Sequence, residues 1–280
     1  MPITSETLDA IAGLMRHAAK QEILPRFRAL GESDVAEKTE ASDLVTIADT
    51  GAERVIKAGI AEILPEALFI GEEGVAADPD LLSKLKDADV AVVVDPIDGT
   101  FNFAHGISAF GVMAAVVVNG ETVAGLIYDP MGDDFMIAEK GGGAWLKRAD
   151  GSSSRMSVAA PVPLEEMLGT ASVAFMPQQN RTVLLGNMAK VRYAASYRAA
   201  AVEYRAFASG GSHFFTYFKL MPWDHLPGVL IGQEAGGYIA RYDGSRYLPS
   251  HLDGGLLGAP DKDSWEELRA KVFTLYTKSQ

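Results

Sequence analysis

Apolar residues recur at helical spacing near the start of the chain, where Leu8, Ile11, Leu14, Met15, Ala18 and Ala19 form one stripe behind Ser5. The pattern predicts a core-facing helix, capped by Ser5 and disturbed at Pro25. A second stripe, Ala52, Val55, Ile56, Gly59, Ile60 and Ile63, follows Asp49 as a candidate cap and stops at Pro65. The spacing then becomes strand-like. Residues 68–70 and the β-branched run 90–94 are short and continuously apolar, as buried strands are. Strands are also predicted over 111–118, 122–128 and 135–138, with Asn119-Gly120 as a tight hairpin between the first two. This half reads as helices packed on an antiparallel sheet. Gly141-Gly142-Gly143 lacks the context of a phosphate loop and is read as a turn, and Ser152-Ser153-Ser154 as a flexible surface turn.

Around residues 148–157 the composition shifts to Gly, Ser and charge, which predicts a boundary between an N-terminal α+β subdomain, 1–150, and a C-terminal α/β subdomain, 151–280. Beyond it, strand-like runs at 168–173, 193–197, 213–218, 238–240 and 256–259 alternate with helical patterns at 181–191, 199–208, 225–235 and 264–276. No internal repeat is present.

Composition narrows the function. With 48% hydrophobic and 22% charged residues in 280, the chain is an ordinary folded protein able to bury a large core. A formal net charge of -12 opposes general affinity for nucleic-acid phosphates or anionic membranes, so direct nucleic-acid binding is not expected. The absence of cysteine excludes disulfides, thiolate metal sites and a cysteine nucleophile, and fits a reducing compartment. The first residues, Met1 to Thr7, lack the basic and apolar regions of a secretory signal, and no apolar stretch has the length of a membrane span. The chain is therefore read as cytoplasmic, without a membrane partner.

The candidate chemistry lies at Asp95-Pro96-Ile97-Asp98-Gly99-Thr100, two acids three residues apart where the run 90–94 ends. Pro96 fixes its own φ and restricts Asp95, so both carboxylates and a carbonyl can be aimed at one point, as a hard cation such as Mg²⁺ requires. The competing reading is a capped turn. Gly71-Glu72-Glu73-Gly74 follows a short strand and is either a second acidic contributor or an exposed turn. Asp224, after Trp223, is a ligand candidate or a helix cap, with Pro227 in the tolerant first turn. The five histidines are scattered without zinc-like spacing, and His225 is expected to bond neighbouring backbone. No serine has the His and Asp partners of a nucleophile.

Together, Gly71-Glu72-Glu73, the segment 95–103, and Trp223-Asp224 with Glu234-Ala235-Gly236-Gly237 resemble the signatures of the inositol monophosphatase family. Lys38, Asp43-Leu44-Val45-Thr46 and Asp49 resemble a further family segment. The resemblance covers most of the chain. It implies a Mg²⁺-dependent, lithium-sensitive phosphomonoesterase with a mixed α+β and α/β, αβαβα layered sandwich fold of the sugar-phosphatase type, two subdomains and a homodimeric state. Carried over by position, Glu72, Asp95 and the Ile97 carbonyl hold one metal, and Asp95, Asp98 and Asp224 hold a second. A third ion lies near Glu72, with Asp49 acting through water. The implied reaction is in-line attack of metal-activated water on a small phosphate monoester, with Glu72, Thr100 and Asp49 as catalytic groups. Gly99 and Thr100 amides meet the phosphate, and Thr100 has an alternative role as a cap.

The substrate wall departs from the family. A glutamate that binds ring hydroxyls is replaced by Tyr217, the Gly-Ser/Thr-Ala segment by Arg198-Ala199-Ala200, and the small residues after Asp224 by Leu226 and Pro227. Arg198, Ala200, Tyr217 and Asp224 are the substrate-binding candidates. Arg198 and Lys219 either contact a second anionic group on the substrate or form surface ion pairs. Inositol 1-phosphate is the leading substrate. Histidinol phosphate, a sugar phosphate and adenosine 3',5'-bisphosphate are the alternatives, and a regulatory binding protein resembling the extragenic suppressors is the alternative from another class.

Overall fold

Thr4, not Ser5, caps the first helix: its Oγ1 accepts from the Thr7 N–H, leaving Ser5 as the first residue of α1 (Ser5–Ala18). The computed structural model describes residues 3–39 and 43–274. After α1 the chain passes through a wide π-type turn and a short 3₁₀ turn containing Pro25, the break expected there. β1 (Val35–Glu37) and β2 (Leu44–Thr46) form a small antiparallel pair. In α2 (Ile47–Ile63) the cap is Thr46, and Asp49 is its reciprocal partner three positions on, accepting from the Thr46 N–H and hydroxyl. Asp49 therefore lies inside the helix it was expected to start.

β3 (Leu68–Gly71), α3 (Glu72–Ala77), α4 (Leu81–Lys84), β4 (Val90–Asp98) and α5 (Thr100–Ala104) come next. They are followed by β5 (Gly111–Val118), β6 (Glu121–Asp129), β7 (Asp134–Glu139), β8 (Gly143–Arg148) and β9 (Ser153–Arg155). Strands β3 to β9 form one seven-stranded sheet in sequence order. Its pairings are antiparallel except β3 with β4, which are parallel and so correct the expectation of a purely antiparallel sheet. The glycine run turns as expected but already enters β8 at Gly143, and Ser153 and Ser154 belong to the edge strand β9 rather than to a free turn.

The remaining elements are β10 (Leu168–Ala171), α6 (Gln178–Asn187), β11 (Tyr193–Ala195), α7 (Ala200–Ala208) and β12 (Phe214–Tyr217), then α8 (Pro222–Glu234), β13 (Tyr238–Arg241), β14 (Leu256–Ala259) and α9 (Lys262–Lys271). Strands β10 to β14 make a five-stranded mixed sheet, ordered β11-β10-β12-β14-β13. The last helix ends at Lys271, and residue 276, its expected limit, lies outside the described residues. Pro222 occupies the tolerant first position of α8, whereas Pro227 is inside the helix and has no N–H for the carbonyl four residues back.

Alternation along the strands sorts the interior into three cores. Val92 and Val94 of β4 pack with Ile11, Met15, Ile56 and Ile60 of α1 and α2. Their neighbours Ala91 and Val93 face the opposite way, with Tyr204, Phe207 and Ile231 of α7 and α8 and with Phe215 of β12. Phe214, one residue away, points to the far side with Leu257, Trp265 and Leu268. The result is an α+β fold of alternating layers: α1 with α2, the large sheet, α7 with α8, the small sheet, and α6 with α9. Both sheets are covered on both faces, which explains why β4 reads as a continuous apolar run. Phe207 and Phe215 meet edge-to-face at 4.9 Å across the middle layer, a contact worth about 1 kcal/mol beyond burial. No helix among the described residues is long and apolar enough to cross a membrane.

Candidate metal centre

The acids at the end of β4 are part of the strand, with the register against β5 slipping between Asp95 and Asp98. A bulge there lets both side chains leave the regular alternation. Asp95 Oδ1 accepts from the Ile97 N–H at 3.0 Å across Pro96. Asp98 reaches α7, where its Oδ1 and Oδ2 accept from the N–H groups of Ala200 at 3.0 Å and Ala201 at 2.7 Å. That helix has no side-chain cap of its own, so a carboxylate from the other sheet satisfies its first donors. Asp224 arrives in the first turn of α8. Asp95, Asp98 and Asp224 each offer a carboxylate oxygen, all within 4.8 Å of one another.

Burial, then the charge of Glu72 and of the other two acids, pushes the Asp95 carboxyl well above the usual range. Asp98 is pushed the same way by burial and then by Asp224, against the pull of its backbone donors. Burial and then Glu72 raise Asp224 to about 7. Three acids held at this separation are poor neighbours as anions and good ones around a cation. The donor set is oxygen only, without histidine or thiolate, and fits a hard divalent ion rather than zinc or copper.

Glu72 opens α3, whose next two N–H groups, Glu73 and Gly74, donate to the two oxygens of Glu53 on α2, both at 2.8 Å. A Cβ on Gly71 would stand 2.3 Å from the Glu53 carboxyl carbon, so any larger residue would push that carboxylate off the α3 N–H groups. Lys38 Nζ donates to Glu72 Oε1 at 2.8 Å and to Glu73 Oε1 at 2.6 Å, and burial followed by the Glu72 charge raises Glu73 to about 7. Asp49 is fully buried and raised by that burial to about 6, against the bonds from Thr46 and Thr100. The Thr100 hydroxyl lies 2.9 Å from Asp49 Oδ1 and 2.8 Å from the Ile97 carbonyl, and its single proton is shared between two acceptors. Gly99, not Thr100, is the cap residue of α5, with φ +88° and Ala109 O and Ala199 Cβ both 2.9 Å from where a Cβ would be.

A cavity of about 580 Å³ joins these groups, with Glu72, Asp95, Asp98, Thr100 and Asp224 in its wall. Arg198, Ala200, Tyr217 and Lys219 line the same cavity. The Ala200 N–H is already committed to Asp98. Tyr217 is buried with its hydroxyl toward the Glu203 carboxylate, and burial followed by the Glu203 charge pushes its phenol well above the usual range. Arg198 stacks 3.5 Å over Phe101, and Lys219 lies 5.1 Å from the Phe175 ring. His225 is outside the acid group: its Nε2 donates to the Lys219 carbonyl at 3.0 Å, its Nδ1 faces the Tyr204 hydroxyl at 3.2 Å, and burial lowers it to about 4.

Three supporting residues escape a sequence reading built on ligand motifs. Glu53 follows Asp49 by one helical turn, a usable signal. Glu203 is a lone acid on the apolar stripe Ala200, Tyr204 and Phe207, also a usable signal, and its Oε1 accepts from Ser196 Oγ at 3.0 Å and the Tyr197 N–H at 2.9 Å. Asn102 donates to the carbonyls of Ala109 and Tyr197, both at 2.7 Å, which no local pattern announces.

Known proteins resemble this chain over most of its length. Residues 4–276 match the model of the inositol monophosphatase family. A Thermotoga maritima protein named fructose-1,6-bisphosphatase/inositol-1-monophosphatase is 31% identical, covering 75% of this chain and 76% of its own. The Nus factor SuhB of Pseudomonas aeruginosa is also 31% identical, over 78% of this chain and 80% of its own. Among solved structures, the Thermotoga maritima IMPase superposes with a TM-score of 0.80 at 26% identity, over 97% of this chain and 99% of that one.

Proposed function

The chain belongs to the inositol monophosphatase family of phosphoric monoester hydrolases, and from that premise we propose that it hydrolyses a small phosphorylated metabolite, with inositol 1-phosphate the leading substrate, using Mg²⁺. The observation that carries the reading is the convergence of Asp95, Asp98 and Asp224, from a strand and a helix far apart in sequence, within 4.8 Å. Two or three ions are proposed. Glu72, Asp95 and the Ile97 carbonyl would hold one, Asp95, Asp98 and Asp224 another, with Glu72 and Asp49 serving a weaker third. When bound, such ions supply Lewis-acid stabilisation of charge on the phosphate and lower the pKa of water.

The chain's own groups do the rest. Asp49, raised to about 6, can exchange a proton with Thr100 Oγ1 near neutral pH, while Glu72 is kept facing the cavity by Lys38 and by the Glu53 cap on α3. Gly99 and Thr100 amides are proposed to bind the phosphate. Because α5 has only five residues, its dipole adds little, and the contact rests on the amides themselves. A cytoplasmic homodimer is part of the proposal. Relatives named Nus factor SuhB support a second reading, regulatory binding, but a binding protein has no chemical reason to retain buried, mutually repelling carboxylates.

The test is phosphate release from a panel of inositol 1-phosphate, histidinol phosphate, sugar phosphates and adenosine 3',5'-bisphosphate, with and without Mg²⁺ and Li⁺. Release that needs Mg²⁺ and falls with Li⁺ is expected. No Mg²⁺-dependent release from any monoester would leave the binding reading in its place.

A further inference from the structure

At residue 198 the chain keeps an arginine where its backbone favours glycine. Arg198 has φ +55°, the left-handed region that strains a residue carrying a Cβ. Its loop is fastened from two helices: Glu203 Oε1 accepts from Ser196 Oγ at 3.0 Å and from the Tyr197 N–H at 2.9 Å, and Asn102 Nδ2 donates to the Tyr197 carbonyl at 2.7 Å. Ser196 Oγ in turn accepts from the Arg198 N–H at 3.1 Å. Arg28, Asn119 and Asp133 also have positive φ, so the strain carries weight here only with the loop's fastening and the cavity beside it. The guanidinium carbon sits over Phe101, 3.5 Å from the ring centroid, and Arg198 lines the cavity that contains the acid cluster.

Lys219 lines the same cavity, over Phe175. Among the described residues, neither cation lies within ion-pair distance of a carboxylate, and Lys219 meets an acid only at longer range, at Asp224, although the chain has 37 acids to 25 Lys and Arg. The alternative that both serve surface ion pairs is therefore not met. Two cations, one stacked and conformationally fixed, suit a planar or tetrahedral anion.

We propose that Arg198 and Lys219 form an anion subsite beside the acid cluster, with Glu203 positioning Arg198, so that the substrate is a phosphate monoester carrying a second anionic group. The inference rests on the phosphatase reading and shifts its substrate from inositol 1-phosphate, which has no second anion, to a doubly anionic monoester. The second group is a phosphate or a carboxylate, and probes of each kind separate the two.

The test uses the full chain with Mg²⁺ and three probes: glycerol 2-phosphate, fructose 1,6-bisphosphate and 3-phosphoglycerate. Wild type should prefer at least one doubly anionic probe, and the preference should fall as salt is added. Arg198→Gly, which relaxes the backbone, should raise KM for that probe about tenfold more than for glycerol 2-phosphate, and Lys219→Gln should act in the same direction. Glu203→Ala should reproduce the Arg198→Gly pattern, and Glu203→Gln, which keeps an acceptor for the loop, should largely restore wild-type values. No preference in wild type, or equal loss on all three probes, overturns the subsite. Should no probe be hydrolysed, the phosphatase reading stands or falls on the wider monoester panel, and calorimetric binding decides the subsite: tenfold weaker binding of a doubly anionic probe by Arg198→Gly supports it, and equal binding overturns it.

Discussion

Asp224→Asn should make the metal-free protein more stable while removing its activity. Asp224 has a folded-state pKa of about 7 against an unfolded value of 3.8, because burial and the Glu72 charge disfavour its anion. A raised pKa means the folded state holds the proton more tightly. The associated stability is present below the unfolded pKa and is lost as pH rises through the folded one. Between pH 5 and 7, two units of that interval, the loss amounts to about 2–3 kcal/mol, somewhat less for the screening that Asp224's partial exposure allows. Asparagine has the same size and no charge to lose. With chelator present, the melting temperature of the parent should fall relative to Asp224→Asn by about 5 °C between pH 5 and pH 8. Excess Mg²⁺ should close the gap by stabilising the parent. A parent that melts in parallel with the variant across this range, or above it at pH 8 without metal, would refute the argument that these acids repel one another until a cation arrives.

Two further outcomes follow from contacts around the cluster. Gly71→Ala places a methyl 2.3 Å from the Glu53 carboxyl carbon, displaces the cap on α3 and should cost about 2–3 kcal/mol in urea unfolding. Thr100→Val removes the hydroxyl between Asp49 and the Ile97 carbonyl, and should lower kcat about 10–100-fold with little change in KM or in melting temperature, read by steady-state phosphate release.

The parts of this molecule governed by short-range rules could be read from the residues alone. The β-branched run ending at Val94, the acids three apart behind it and the helical stripes of α1 and α2 each follow local periodicity, and each is present. Caps were less legible, because Thr4 and Ser5, or Thr46 and Asp49, compete for one position and the winner is chosen by which oxygen reaches the N–H groups. The parallel pairing of β3 with β4 depends on contacts between distant segments, and the exposed, polar β9 has no periodicity to announce it. The neighbours that hold the site in place were hardest of all. Glu53, one turn after Asp49, and Glu203, on an apolar stripe, stand out in sequence, but which helix end or loop each would hold depends on the fold.

The proposed phosphatase chemistry depends above all on Asp95 as the anchor of a divalent-metal site. Its most direct test is phosphate release from the best substrate of the panel, titrated with Mg²⁺, for the parent chain and for Asp95→Asn. Saturable dependence on Mg²⁺ is expected in the parent, with a loss of at least about a hundredfold in the variant at every Mg²⁺ concentration. Release that is independent of Mg²⁺, or that survives in Asp95→Asn, would contradict it.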